Sequence, residues 1–204
     1  SAKPTFAPTR SSLEGWSGLW RVGLATLPAL LVGYLARRAI KDELFNPGAV
    51  TLALALGGVA ILLVERYGSR RSANTLDTIT LGQAVGIGLF QVLALWPGTS
   101  RAAATIVGGM LLGLDRKSAA EFSFLIAVPV MFAATGYELI KMRDQMAFHD
   151  SLQLGVGFIV SFIVALIAVK GFVSFLQRGK LTPFAWYRII VAPIFYFLTR
   201  GLSF

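Results

Sequence analysis

The chain has no cysteine and a single histidine among its 204 residues. Disulfides, thiolate metal sites and a cysteine nucleophile are therefore excluded within it. The histidine, His149, lies in a polar stretch beside Asp150 and reads as a solvated loop residue. Acidic side chains are scarce too, 10 Asp and Glu against 19 Lys and Arg, which leaves few carboxylates for acid–base work or for a metal. Ser1 to Ser12 lacks an apolar core segment, so no cleavable signal peptide is expected there, and the stretch reads as a loop or a cut end.

What remains is apolar. Hydrophobic residues make up 55% of the chain and charged residues only 14%, with a mean hydropathy of +0.69. Soluble domains usually stay near 45–50% apolar. The composition predicts an all-α polytopic membrane protein, a single integral membrane domain over residues 1–204. The net charge of +9 sits mostly between apolar runs, where it reads as topology and lipid-headgroup contact, and no nucleic-acid partner is expected.

Five runs are long enough to approach the roughly 20 residues that cross a hydrocarbon core. They cover Gly18 to Arg37, with a kink expected at Pro28; Asn46 and Pro47 to Val64; Ser118 to about Ile140, with a kink at Pro129; Leu152 to Val173; and Phe184 to Thr199. Gly57 and Gly58 read as a close helix contact. Glu65 to Asp77 reads as a polar connection, and Tyr187, Arg188 and Tyr196 as interfacial anchors. Counting Lys and Arg on the two sides of this layout gives about 11 against about 6, which puts the N-terminal side in the cytoplasm by the positive-inside rule.

One stretch does not fit a span. Ile79 to Trp96 is followed by Pro97-Gly98, and Ala102 to Gly113 covers only about 18 Å at 1.5 Å per residue, short of a core of about 30 Å. A re-entrant helical hairpin over about 79–113 is expected, entering from the cytoplasmic side with its turn near mid-membrane. Gly82 with Gly86 and Gly109 with Gly113 are the small pairs expected to pack its arms. Broken helices survive at such depth only where protein or a wet cavity covers the free backbone.

Arg101 follows the break at once. An arginine at membrane depth costs several kcal/mol unless it meets protein, water or an anion. The helix restarting at Ser100 offers unpaired N–H groups and a positive dipole end, so the turn suits a phosphate. A guanidinium can hold two phosphoryl oxygens; the alternative is an arginine that caps carbonyls of the broken helix. Ser100 and Thr105 can donate to phosphate, or can bond back to a carbonyl one turn earlier. Ser100 reads as a donor rather than a nucleophile, because no base stands near it in the sequence. Glu121 is the one carboxylate well inside an apolar segment. It is a candidate acid or base, or a structural partner of the hairpin or of Arg101.

The residues ALWPGTSRAAATIVGGMLLGLDRKSAAEFSFLIAVPVMFAAT resemble the undecaprenyl-diphosphate phosphatases, which recycle the lipid carrier of bacterial cell-wall synthesis, and the resemblance extends over nearly the whole chain. A family pattern close to P-G-x-S-R-S-x-x-T is matched by Pro97, Gly98, Ser100, Arg101 and Thr105, while Ala102 stands where a second serine is usual. Family members look like two inverted repeats, the first with a glutamate pair in E-x-x-x-E-F-L-P followed by S-S-T-G-H. That stretch does not occur here, so the chain is expected to correspond to the C-terminal three quarters of a member, without counterparts of those carboxylates and that histidine.

The resemblance implies hydrolysis of undecaprenyl diphosphate, with Ser100 and Arg101 catalytic and Gly98, Thr99, Ser100, Arg101 and Thr105 binding the substrate. It also implies a divalent ion, Mg or Ca, whose ligands cannot be picked out in this chain. Membrane lipid and a second copy of the chain are the implied partners. The implied location is the bacterial inner membrane, with a site reached from the periplasm. Broken helices around an anion site also mark transporters, so a flippase of an anionic polyprenyl lipid is the alternative, and a purely structural membrane subunit a third.

Overall fold

The structure, a computed structural model, describes residues 15–67, 75–142 and 148–200. Its regular elements are helices: α1 (Gly15–Leu35), α2 (Arg37–Ala39) running into a π-type turn at Ile40–Leu44, α3 (Pro47–Tyr67), a 3-10 turn at Leu76–Thr78, α4 (Leu81–Leu93), α5 (Arg101–Leu111), α6 (Arg116–Met142), α7 (Phe148–Arg178) and α8 (Thr182–Thr199). Ser1 to Ser12 lies outside the described residues, as does part of the 65–77 connection. The backbone of His149 and Asp150 is in the first turn of α7 rather than in a loop.

Short polar side chains set where the helices begin. Asn46 caps α3, its Oδ1 accepting from the Ala49 N–H at 2.8 Å, with Pro47 as the first helical residue as expected. Thr80 and Gln83 form a capping box at α4, satisfying two free N–H groups at once. Asp115 accepts from the Ser118 N–H at 2.9 Å ahead of α6. Helices α1 and α6 continue through Pro28 and Pro129.

Four helices, α1, α3, α6 and α7, are long and apolar enough to cross a membrane. Helix α8, expected as a fifth, is 18 residues long but falls outside that group, because Arg188, Tyr187 and Trp186 dilute it. Helices α4 and α5, of 13 and 11 residues, are too short to span. The arms end earlier than expected, at Leu93 and Leu111, where tighter turn bonds replace the helical ladder.

Helix α1 lies along α4, α3 lies along α8, and α5 sits between α4 and α6 while also touching α3. The short pair is thus wedged between the long helices. Ile87, Ile106, Met110, Phe122 and Ile126 form the centre of this packing and are buried. Trp20, Leu31, Phe132, Phe158 and Ile167 point outward, and none of the apolar window of α7 is buried inside the protein. Such a surface fits hydrocarbon surroundings, and the protein is an all-α, multi-pass membrane protein.

The small-residue contacts differ from the expected pairs. Gly82 borders open space and Gly113 turns the chain with φ +94°, while Gly86 meets Leu112 and Gly109 meets Ala119 of α6. The close approach of the two arms is made by Gly86 against Leu112, as expected of that glycine, and by Gly108 beneath Phe90. Gly57 and Gly58 do mark a tight contact, against Arg188 and Ala185 of α8. Tyr187 and Tyr196 are exposed, but Arg188 is only 7% exposed and is no interfacial anchor. It points inward and donates to the Ala53 and Gly98 carbonyls, the kind of protein partner an inner arginine at this depth requires.

Candidate active site

At the end of α4, N–H groups of Ala94, Leu95 and Trp96 bond three residues back at 3.0–3.2 Å, a tightening that ends the helix before Pro97. Gly98 then takes φ +90°. A Cβ on it would stand 2.6 Å from the Val50 carbonyl oxygen, so both backbone angle and space demand glycine. The Thr99 N–H closes the turn on the Trp96 carbonyl at 3.0 Å, and the Trp96 indole N–H ties it to the Ala49 carbonyl of α3 at 3.1 Å.

Ser100 is the cap of α5, with extended backbone and its Oγ accepting from the Ala103 N–H at 3.3 Å. Its own proton stays available for donation. Arg101 is the first residue of α5, and its Nη1 donates to the Ser123 carbonyl of α6 at 3.1 Å. The carbonyl it meets is thus on α6, not on the broken helix. The other guanidinium donors have no hydrogen-bond partner among the described residues. Thr105 is fully buried: its Oγ1 donates to the Arg101 carbonyl at 2.9 Å and lies 2.6 Å from the Ser123 hydroxyl. Its hydroxyl is directed into the α5–α6 contact.

Two cavities flank the turn. One, of about 590 Å³, lies between α1, α4 and α6, and Arg101 and Gln91 line it together with Ala29, Gly33, Ala134 and Tyr137. Arg37 also lines it and donates to the Tyr137 hydroxyl at 3.3 Å. The other, of about 480 Å³, lies between α3, α4 and α5; it is apolar and includes Thr99 and Arg188.

Arg188 was missed as a site residue although the burial argument that singled out Arg101 applies equally to an arginine in YRIIVAPIF. Its Nη2 donates to the Gly98 carbonyl at 3.0 Å and to the Ala53 carbonyl at 3.1 Å. It therefore holds the turn from the side opposite Arg101. Neither arginine has a carboxylate partner among the described residues. Two unneutralised guanidiniums and a helix N-terminus around one turn produce a field that favours an anion.

Glu121 does not reach Arg101. It is part-exposed and pairs with Lys117 one turn earlier at 3.7 Å, the geometry of a helix-surface pair. Glu65, assigned above to a polar connection, has instead a carboxylate turned into the protein. It accepts two bonds from Arg116, at 2.8 and 2.7 Å, and one from the Leu181 N–H at 3.0 Å. A buried glutamate with three donors serves architecture. Among the described residues no three His, Asp or Glu side chains come together, so these residues do not fit a divalent ion, which wants several oxygen donors around it.

Two kinds of similarity accompany this geometry. Residues 3–194 match the family model of the bacitracin resistance protein BacA. An undecaprenyl-diphosphatase of Solidesulfovibrio magneticus is 53% identical over 97% of this chain and 73% of its own length. One from Maridesulfovibrio salexigens is 50% identical over 94% of this chain and 73% of its own, and one from Oleidesulfovibrio alaskensis 47% identical over 90% and 68%.

Proposed function

The chain belongs to the family of the bacitracin resistance protein BacA, and we propose that it hydrolyses undecaprenyl diphosphate to undecaprenyl phosphate and inorganic phosphate. The observation that carries this reading is Arg101, set at the N-terminus of α5, lining a cavity and giving a single side-chain hydrogen bond to protein among the described residues. Undecaprenyl-diphosphatases about half identical over nearly the whole chain support the same reaction.

In this reading the diphosphate lies in the cavity between α1, α4 and α6, with Arg101 holding phosphoryl oxygens as charge builds on them. Gly98, Thr99 and Ser100 shape the turn, Ser100 adds a hydroxyl donor, and Thr105 fixes the backbone of Arg101 through its bond to that carbonyl. The α4–α5 pair is a re-entrant hairpin, and the cavity extends to Arg37 and Tyr137, on the face that the charge count makes periplasmic. The protein sits in the bacterial inner membrane, and a second copy is its expected companion there. Glutamates and a histidine of the kind found in E-x-x-x-E-F-L-P and S-S-T-G-H are absent from the 204 residues, so this chain is expected to bind diphosphate and, on its own, to turn over slowly. Divalent-ion dependence is part of the reading, but no step here is assigned to the ion, because the described residues offer no donor set.

The test is phosphate release from undecaprenyl diphosphate in detergent, with and without Mg or Ca, for the chain and for Arg101→Ala. Loss of a charge-assisted phosphate clamp removes roughly a hundredfold or more from the rate. Release that is unchanged in Arg101→Ala overturns the assignment, and movement of lipid only across a sealed bilayer would favour a flippase.

A further inference from the structure

Gln91 is 2% exposed in the last turn of α4, and neither its Nε2 nor its Oε1 has a hydrogen-bond partner among the described residues. A buried amide left unpaired on both atoms is costly, because neither group recovers the hydrogen bonds it made to water. An apolar side chain in LFQVLALW would fill the same space without that loss. The position of the amide gives a reason: Gln91 lines the cavity of about 590 Å³ that Arg101 also lines. That volume lies in the range of roughly 300–1,000 Å³ usual for ligand pockets. Small side chains, Ala29, Gly33, Ala94 and Ala134, leave the space open.

We propose that Gln91 is a second substrate-binding residue of this cavity, a neutral ligand for the diphosphate beside the charged Arg101. The inference rests on the phosphatase reading and extends it. An amide offers one kind of group that arginine lacks. Nε2 donates to a phosphoryl oxygen, while Oε1 accepts a proton from a P–OH or from water held against phosphorus. Arginine can only donate. The pair therefore binds a partly protonated diphosphate with complementary groups, and a neutral amide avoids the repulsion that a carboxylate would introduce. Gln91 and Arg101 approach the cavity from α4 and α5, so substrate bound between them joins both arms of the short helix pair.

Binding of inorganic pyrophosphate to the detergent-solubilised chain tests this, by equilibrium dialysis with labelled ligand, alongside thermal unfolding of the ligand-free protein. Gln91→Met keeps the volume and removes both polar atoms. It is expected to weaken pyrophosphate about tenfold, the value of one charge-assisted hydrogen bond, and to leave the melting temperature of the free protein unchanged or raised. Gln91→Glu is expected to weaken binding further by repelling the anion. Should Gln91→Met fail to fold, Gln91→Asn, which draws the amide back by one methylene, is read in the same way. Pyrophosphate binding that is lost in Arg101→Ala yet unaltered in Gln91→Met overturns the role of Gln91 and leaves the phosphatase reading standing. Binding that is indifferent to Arg101→Ala overturns both.

Discussion

Residue by residue, the decisive groups are two arginines whose surroundings differ. Arg101 keeps donors for a cavity, whereas Arg188 gives its Nη2 to the Gly98 and Ala53 carbonyls. Gly57 belongs to the same device, since a Cβ there would stand 2.3 Å from Nη2 of Arg188. The guanidinium is the flexible end of a side chain, but moving it breaks both bonds to carbonyls. Gly57→Ala is therefore expected to destabilise by about 2–3 kcal/mol and to slow phosphate release. Once Arg188→Met has removed the obstructing group, the same glycine change is expected to be nearly neutral, a coupling that a double-mutant cycle on thermal unfolding measures. Additive effects would mean that Gly57 serves only backbone packing.

The α4–α5 pair is held by its turn more than by its own length. Helices of 13 and 11 residues are marginal alone, because nucleation is costly and few ladder bonds follow. Capping by Thr80 and Ser100, and tethers from Trp96 to Ala49 and from Arg188 to Gly98, fix where they stop and start. Gly98→Ala tests the element. It puts a side chain at φ +90° and into the Val50 carbonyl, with an expected loss of about 3 kcal/mol and at least a tenfold fall in phosphate release as Arg101 shifts. Wild-type melting together with wild-type turnover would show that the turn is not under this constraint. The break between these two short helices was legible from Pro97, Gly98 and the short apolar runs beside them. Of the packing glycines of this pair, Gly86 was legible and Gly108 was not, because spacing along one helix does not say which neighbour arrives.

For the molecule as a whole, the site depends on long helices being clamped at one end. Glu65 of α3, Arg116 of α6 and the Leu181 N–H ahead of α8 meet in one part-buried cluster, with Arg116 Nη1 also reaching the Gly179 carbonyl at 3.1 Å. Removing one member leaves an uncompensated charge. Glu65→Gln is expected to lower stability by about 3–5 kcal/mol, read as a fall in melting temperature in detergent, with pyrophosphate affinity of the folded fraction unchanged. A parallel loss of affinity would place the cluster in the binding machinery. The outward faces need no such partners, since lipid covers them.

The sequence by itself determined the membrane class, four of the five expected spans and the broken stretch around Arg101, because these follow from composition, run length and residues that forbid a helix locally. The same local chemistry made Ser100 a helix cap and Asn46–Pro47 a helix start. Only the tertiary structure decided that Arg188 points inward to the turn, that Gln91 is left unpaired among the described residues in the cavity Arg101 lines, and that the Glu65 side chain is buried against Arg116. Those outcomes depend on which face of each helix meets another element. Such faces are chosen by packing between residues 50 to more than 100 positions apart, and no local pattern carries that information.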